Sequence, residues 1–397
     1  MRIELSEPVI VAMGPNATTA GWGPYQFPYL WKAPDGRLLY TFNAGQDSVT
    51  AYGEEPICCI SEDSGKSWKK VAKKEVDHLL GLQLPNGELL RFENQPSLPV
   101  AGMALPKPLA TSVKGFAAYA VRQLPEGLCK KTWEFTRINA EHPAGIREQA
   151  KLNWPNLFVS VAKEVLIQPH PAGRLRLAPD GSLWMPHYAP LGIDPQTGKV
   201  DSLHMSNYLL RSQDNGHTWD VAAYLPYPPE TPEDVREGYN ENDIAFAPDG
   251  SMLRLIRTHV SYAEQAFEPM LITRSTDGGH TWSEPEEFDF TGVWPALLAL
   301  PCGVTLATYG RPGLFLQATD DPSCRKWENR IELIHSDRIP NAPGSVVNMA
   351  TCSYTDLIAL DDHTAGLAYS DFTVKDENGT PRKTMMFRTV RCLPKAR

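Results

Sequence analysis

The chain has 397 residues, 42% hydrophobic and 21% charged, with a formal net charge of −9, a composition too apolar for a disordered chain. The acidic balance leaves no basic surplus to displace counterions from a phosphate backbone, which argues against nucleic acid as a partner. No apolar run approaches the ~20 residues of a membrane-spanning helix, so no membrane partner is expected either.

From the N-terminus, Met1 to Pro8 carries an early acid and a proline where a secretion signal would place its apolar stretch, and Pro8 to Met13 reads as a strand. Two kinds of turn then alternate along the chain. The first is Pro34-Asp35-Gly36, Pro85-Asn86-Gly87, Pro179-Asp180-Gly181, Pro248-Asp249-Gly250 and Pro301-Cys302-Gly303, with Asp361-Asp362-His363 in the same place near the C-terminus. Each separates short apolar runs, as a hairpin does. The second is Ser-x-Asp-x-Gly-x-Ser/Thr-Trp, at 61–68, 212–219 and 275–282, with degraded copies at 125–133 and 319–327. There the aspartate can accept from turn amides, the glycine supplies a positive φ, and the tryptophan covers the hairpin base.

Between Pro85 and Pro179 the spacing lengthens. The stretch is proline-rich from Pro96 to Pro108 and runs through Ile146-Arg147-Glu148-Gln149-Ala150-Lys151, which reads as the one short helix. This predicts an insertion at about 93–165, either decorating a rim or making a dimer contact. The strand near Met385 to Val390 is expected to pair with Val9-Ile10-Val11, closing the molecule on itself. Six strand–turn–strand–loop–strand–turn–strand units of about 66 residues suit an all-β, six-bladed β-propeller with four-stranded antiparallel blades, in one domain over 1–397. The seven cysteines are odd in number and lack metal-type spacing; they read as reduced, buried thiols of a cytoplasmic protein, with no metal and no cofactor.

If the Pro-x-Gly turns all join first to second strands, the starts of first strands and the ends of second strands gather at the opposite rim. That topology selects Gln26 and Phe27, Asp47, Arg91, His187 and Tyr188, Asn240 and Glu241, Arg257, Trp294, Tyr309, Arg311 and Tyr354. A concave mouth lined by arginines, carboxylates and aromatics suits a sugar, so a carbohydrate is the expected partner.

With these residues the chain resembles the sialidase (neuraminidase) superfamily, whose Asp-box, or BNR repeat, is the Ser-x-Asp-x-Gly-x-Thr-Trp turn. The resemblance implies a retaining, exo-acting glycosidase. Tyr354, in Ser353-Tyr354-Thr355-Asp356-Leu357, looks like the nucleophile and Glu241 like the glutamate that activates it; Asp47 looks like the acid/base. Arg257 and Arg311 look like the second and third members of the carboxylate-binding triad. Gln26 stands where the first arginine is expected, and Ser370, beside Asp371, where its glutamate partner would be. An amide brings neither charge nor a bidentate fork, so the acid recognised need not be sialic acid: a uronic acid or a related sugar is as well suited. Arg91, His187, Tyr188 and Tyr309 complete the expected substrate-binding wall. The pair His187-Tyr188 also suits a β-eliminating uronate lyase, and a non-catalytic sugar-binding propeller is the third reading.

Overall fold

The Pro-x-Gly turns behave alike in the computed structural model, which describes residues 1–48, 54–231, 233–261, 266–328, 330–336 and 350–394. Pro34-Asp35-Gly36 joins strands Gln26–Lys32 and Leu38–Asn43. Pro179-Asp180-Gly181 joins Arg176–Leu177 and Leu183–Ala189. Pro248-Asp249-Gly250 joins Asn242–Phe246 and Met252–Ile256. The other three expected hairpins form as well. In five of the six the glycine N–H donates to the residue before the proline at 2.9 Å. Those glycines all lie at φ of 83–88°, where a side chain would be strained.

The Ser-x-Asp turns connect third strands to fourth. In the first, the Gly65 N–H donates to Ser61 Oγ at 2.8 Å and Ser67 donates twice to the Asp63 carboxylate, while the Trp68 indole closes on Gly65 O. Donation from Ser67 holds Asp63 down at about 2. The same bonds recur around Asp214 and Asp277. The 319–327 copy keeps its Trp327 indole bond to Cys324 O. The 125–133 copy is not such a turn: Trp133 lies inside strand Thr132–Ile138, packed against Trp219. In that sheet the third-to-fourth turn is instead Asn139 to Gly145, held by Asn139 Oδ1 accepting from Glu141 and His142.

Hydrogen bonding assembles the strands into three separate four-stranded sheets, at 26–71, 242–289 and 293–334. An eight-stranded sheet combines two antiparallel runs, 82–153 and 176–225, through parallel pairing of Lys151–Asn153 with Thr218–Asp220. A five-stranded sheet unites both ends of the chain: Arg382–Leu393 pairs with Arg2–Leu5 and with Val9–Asn16 as expected. The stretch read as a helix, Ile146 to Lys151, belongs to strand Ile146–Asn153. Its helix-forming residues are overridden because all six pair with Thr132–Arg137, with Lys151 also entering the parallel ladder, and Ala150 is buried between exposed neighbours. The insertion is likewise more than a loop. Segments 98–120 and 158–167 build a five-stranded sheet of their own. The adjacent thiols Cys58 and Cys59 enter different core clusters, and all seven cysteines are free.

First strands of neighbouring sheets meet through a buried ionic cluster. Arg174 donates to Asp356 Oδ1 at 2.8 Å, to Pro295 O at 2.8 Å and to Thr355 O. Arg176 forks onto Asp243. The second oxygens of both aspartates accept from strand N–H groups of the next sheet, Leu30 and Leu297, each at 2.8 Å. Removing one partner of such a cluster leaves a buried charge and an orphaned amide. Asp356→Ala is therefore expected to lower stability by about 3–5 kcal/mol, read as a fall in the urea midpoint; a loss below about 1 kcal/mol, the range of a surface pair, would contradict this role.

Candidate active site

Tyr354, Glu241, Trp294 and Phe27, all at the starts of first strands, line one cavity of about 450 Å³ with Asn43, His187 and Tyr188 from the ends of second strands. No Pro-x-Gly turn contributes to it. Phe116, Trp154 and Phe158 from the inserted region, with Gln168 and His170 just beyond it, line the cavity too. Asp47 and Glu54 border the cavity as well; residues 49–53 of the same loop lie outside the described residues.

The Tyr354 hydroxyl donates to Glu241 Oε1. Glu241 also receives the Trp294 N–H on Oε2 at 2.8 Å and an ion pair from Arg257 at 3.0 Å. Burial and the adjacent Glu241 carboxylate push the Tyr354 phenol well up, against the pull of Arg257 and Arg311. Trp294 stacks on the Tyr354 ring at 5.3 Å, and Phe27 meets its edge at 4.6 Å. Four non-glycine residues around this tyrosine have positive φ: Phe27, Trp294, Arg311 and Ser353, at 57°, 42°, 69° and 69°. Such conformations cost on the order of 1 kcal/mol or more each and persist only where surrounding contacts enforce them.

The expected residues divide. Tyr354, Glu241, Asp47, His187 and Tyr188 line the cavity; Arg257 and Arg311 act on Tyr354 electrostatically but form no part of the cavity wall. The Arg257 guanidinium is already held by Glu237 at 2.9 Å and Glu241, and the Arg311 guanidinium lies 5.5 Å from the Trp22 ring centre. Gln26 is fully buried and outside the wall, because a register shift between Gln26 and Tyr29 turns Phe27 to the cavity instead. Tyr309 is buried in a core cluster, donating to Asp289 and accepting from Gln317. Arg91 lines a neighbouring cavity of about 860 Å³, paired with Asp77 and Glu93. Asp47 is exposed rather than buried, and its Oδ2 accepts from the Trp22 indole at 2.8 Å.

His187 sits among Trp133, Trp154 and Tyr208, and this burial pushes it down to about 3. Its Nδ1 has no hydrogen-bond partner, which agrees with a neutral ring. Among the described residues there is no cluster of His, Cys, Asp and Glu that could hold a metal, and no helix is long and apolar enough to cross a membrane.

No family model and no curated protein matches the chain. Solved structures do. A protein of unknown function from Dyadobacter fermentans aligns at 18% identity and TM-score 0.63, over 98% of this chain and 99% of that one. An α-L-arabinofuranosidase mutant from Fusarium graminearum, bound to an iminosugar inhibitor, aligns at 12% and TM-score 0.52, over 98% of each chain. The Hadza microbial sialidase Hz136 aligns at 15% and TM-score 0.50, over 96% of this chain and 68% of that one. At these identities the likeness is one of fold: all-β, of the β-propeller kind.

The state of His187 has a measurable consequence. Its native pKa, about 3, lies below the ~6.5 of an unfolded histidine. Between those values the unfolded chain binds a proton that the native one does not, so stability falls as pH drops through that window. His187→Phe should flatten that part of a plot of urea midpoint against pH; a slope unchanged from the parent would contradict it.

Proposed function

We propose that the chain is a glycoside hydrolase built on six blades within one domain over 1–397, with the inserted sheet as a wall of its site. Tyr354 and Glu241 act as the nucleophile pair and Asp47 as the acid/base. The observation that carries the reading is the Tyr354 hydroxyl donating to the Glu241 carboxylate at the wall of the same cavity that Asp47 borders. A neutral phenol is a weak nucleophile until a base takes its proton, and Glu241 is in place to take it. In the first step Tyr354 Oη bonds to the anomeric carbon and its proton passes to Glu241. The glycosidic C–O bond breaks, and the departing oxygen takes the proton of Asp47. Water then attacks the same carbon and gives its proton to Asp47, while the bond from that carbon to Tyr354 Oη breaks and the phenolate takes its proton back from Glu241. Glycosidases with a tyrosine nucleophile are a known departure from the two-carboxylate scheme.

The geometry favours an uncharged sugar over an acidic one. Among the described residues the cavity wall carries Asp47, Glu54, Glu55 and Glu241 but no lysine or arginine. Arg257 is occupied by two carboxylates, which leaves Arg311, over the Trp22 ring, as the cation nearest Tyr354 without a carboxylate partner among the described residues. The lyase reading is weaker, because a histidine held near 3 is a poor base at neutral pH.

A panel of aryl glycosides of L-arabinofuranose, galactose, glucuronic acid and sialic acid tests this. Hydrolysis of an uncharged member with retained anomeric configuration is expected. Tyr354→Phe should cut turnover at least about a thousandfold with an unchanged thermal midpoint. Preferential cleavage of the glucuronide or sialoside would refute the substrate class; normal turnover by Tyr354→Phe would refute the mechanism. An unsaturated, ultraviolet-absorbing product would establish the lyase instead, and sugar binding without product a binding protein.

A further inference from the structure

Asp47 is exposed on a loop, yet an acid/base must be held within a fraction of an ångström of its working position. A second segment supplies the hold. Residues 17–25 cross from strand Val9–Asn16 to strand Gln26–Lys32, tied down by Ala17 N–H on Pro381 O and Tyr25 N–H on Asn43 O, both at 2.9 Å. At its middle is Gly21-Trp22-Gly23, with the two glycines at φ of 71° and 113°. A side chain on Gly23 would fall on the backbone of Gln46 and Asp47, so glycine lets the two segments lie directly against each other.

Between those glycines Trp22 meets three partners. Its indole N–H donates to Asp47 Oδ2 at 2.8 Å, its ring lies 5.5 Å from the Arg311 guanidinium, and its edge-to-face contact with Phe27 spans 6.3 Å. Phe27 in turn touches Tyr354, so one aromatic chain connects the two ends of the proposed chemistry. The strap is anchored by Lys383, whose ammonium donates to Gly21 O and lies 5.1 Å from the Phe372 ring centre. Lys383 is 2% exposed and, among the described residues, has no carboxylate partner. Burial pushes it down to about 8. A charge kept in so unfavourable a place needs compensation, and the Gly21 carbonyl and the ring face supply it.

We propose that Gly21-Trp22-Gly23, anchored by Lys383, is the positioning device for Asp47: the Trp22 indole fixes Oδ2 and leaves Oδ1 to carry the transferred proton. An indole can only donate. It therefore bonds Oδ2 whether Asp47 is ionised or protonated, and in the protonated state it makes Oδ2 the carbonyl oxygen. The proton is on Oδ1 before it passes to the glycosidic oxygen, and the proton from water returns there.

The inference rests on the hydrolase reading, and leaving-group dependence separates the two. A general acid matters most when the departing alcohol is a poor leaving group. The probes are the methyl and 2,4-dinitrophenyl glycosides of the sugar that the panel identifies. Asp47→Asn should lose at least about a hundredfold in kcat/KM on the methyl glycoside and less than about fivefold on the dinitrophenyl one. Trp22→Phe keeps the ring and removes only the donor; it should lose at least about tenfold on the methyl glycoside and stay within about twofold on the other. Lys383→Met should shift the two substrates in the same unequal way, and if it fails to fold, Trp22→Phe decides alone. Should Asp47→Asn split the substrates while Trp22→Phe affects both equally or neither, the strap is refuted and the hydrolase reading stands. Should Asp47→Asn show no split, the acid/base assignment fails and the strap fails with it; should the panel show no cleavage, the hydrolase reading itself fails.

Discussion

Each innermost strand has one edge with no strand beside it, and its N–H groups there need acceptors. Asp243 and Asp356 provide them. Each carboxylate is shared between an arginine of the 174–176 segment and an amide of an adjoining sheet, Leu297 for Asp243 and Leu30 for Asp356. Two aspartates and two arginines thus couple strands that are far apart in sequence and share no ladder. Their worth lies less in net stability, since buried ion pairs roughly cancel their desolvation, than in fixing which edges face one another.

The site inherits that geometry. Tyr354 lies two residues before Asp356 and Glu241 two before Asp243, so each catalytic candidate projects from the same strand end as an aspartate of the cluster. Positive φ at Phe27, Trp294, Arg311 and Ser353 is sustained by these anchored strands and by ring contacts around Tyr354. The strain is local, while the structure that holds it is distributed over several sheets.

Much of the architecture could be read from turns because turn chemistry is local: a Pro-Asp-Gly or a Ser-x-Asp-x-Gly-x-Thr-Trp satisfies its own hydrogen bonds within a few residues. The misreadings fell where partners decide. Ile146 to Lys151 has the composition of a helix and becomes a strand because the ladder with Thr132–Arg137 claims all of it. Trp133 mimics the tryptophan that ends a Ser-x-Asp turn, yet it is a core residue of a third strand. At the site, Tyr354, Glu241, Asp47 and His187 were legible from hairpin position. The exchange of Gln26 for Phe27 was not, since one bulge shifts which side chain faces the cavity.

By itself the sequence determined the all-β class, the six Pro-x-Gly and related hairpins, the pairing of the chain ends and the candidate residues at the strand ends, all of which follow from short-range periodicity and turn preference. Only the tertiary structure decided that Arg257 is occupied by Glu237 and Glu241, that Tyr309 belongs to the core, that the insertion walls the cavity, that the Trp22 indole bonds Asp47, and that Lys383, from near the other end of the chain, bonds the neighbouring Gly21 carbonyl. Those are questions of which charges and donors remain unspent after packing, and a side chain's neighbours from distant sheets are set only once the sheets have closed on one another.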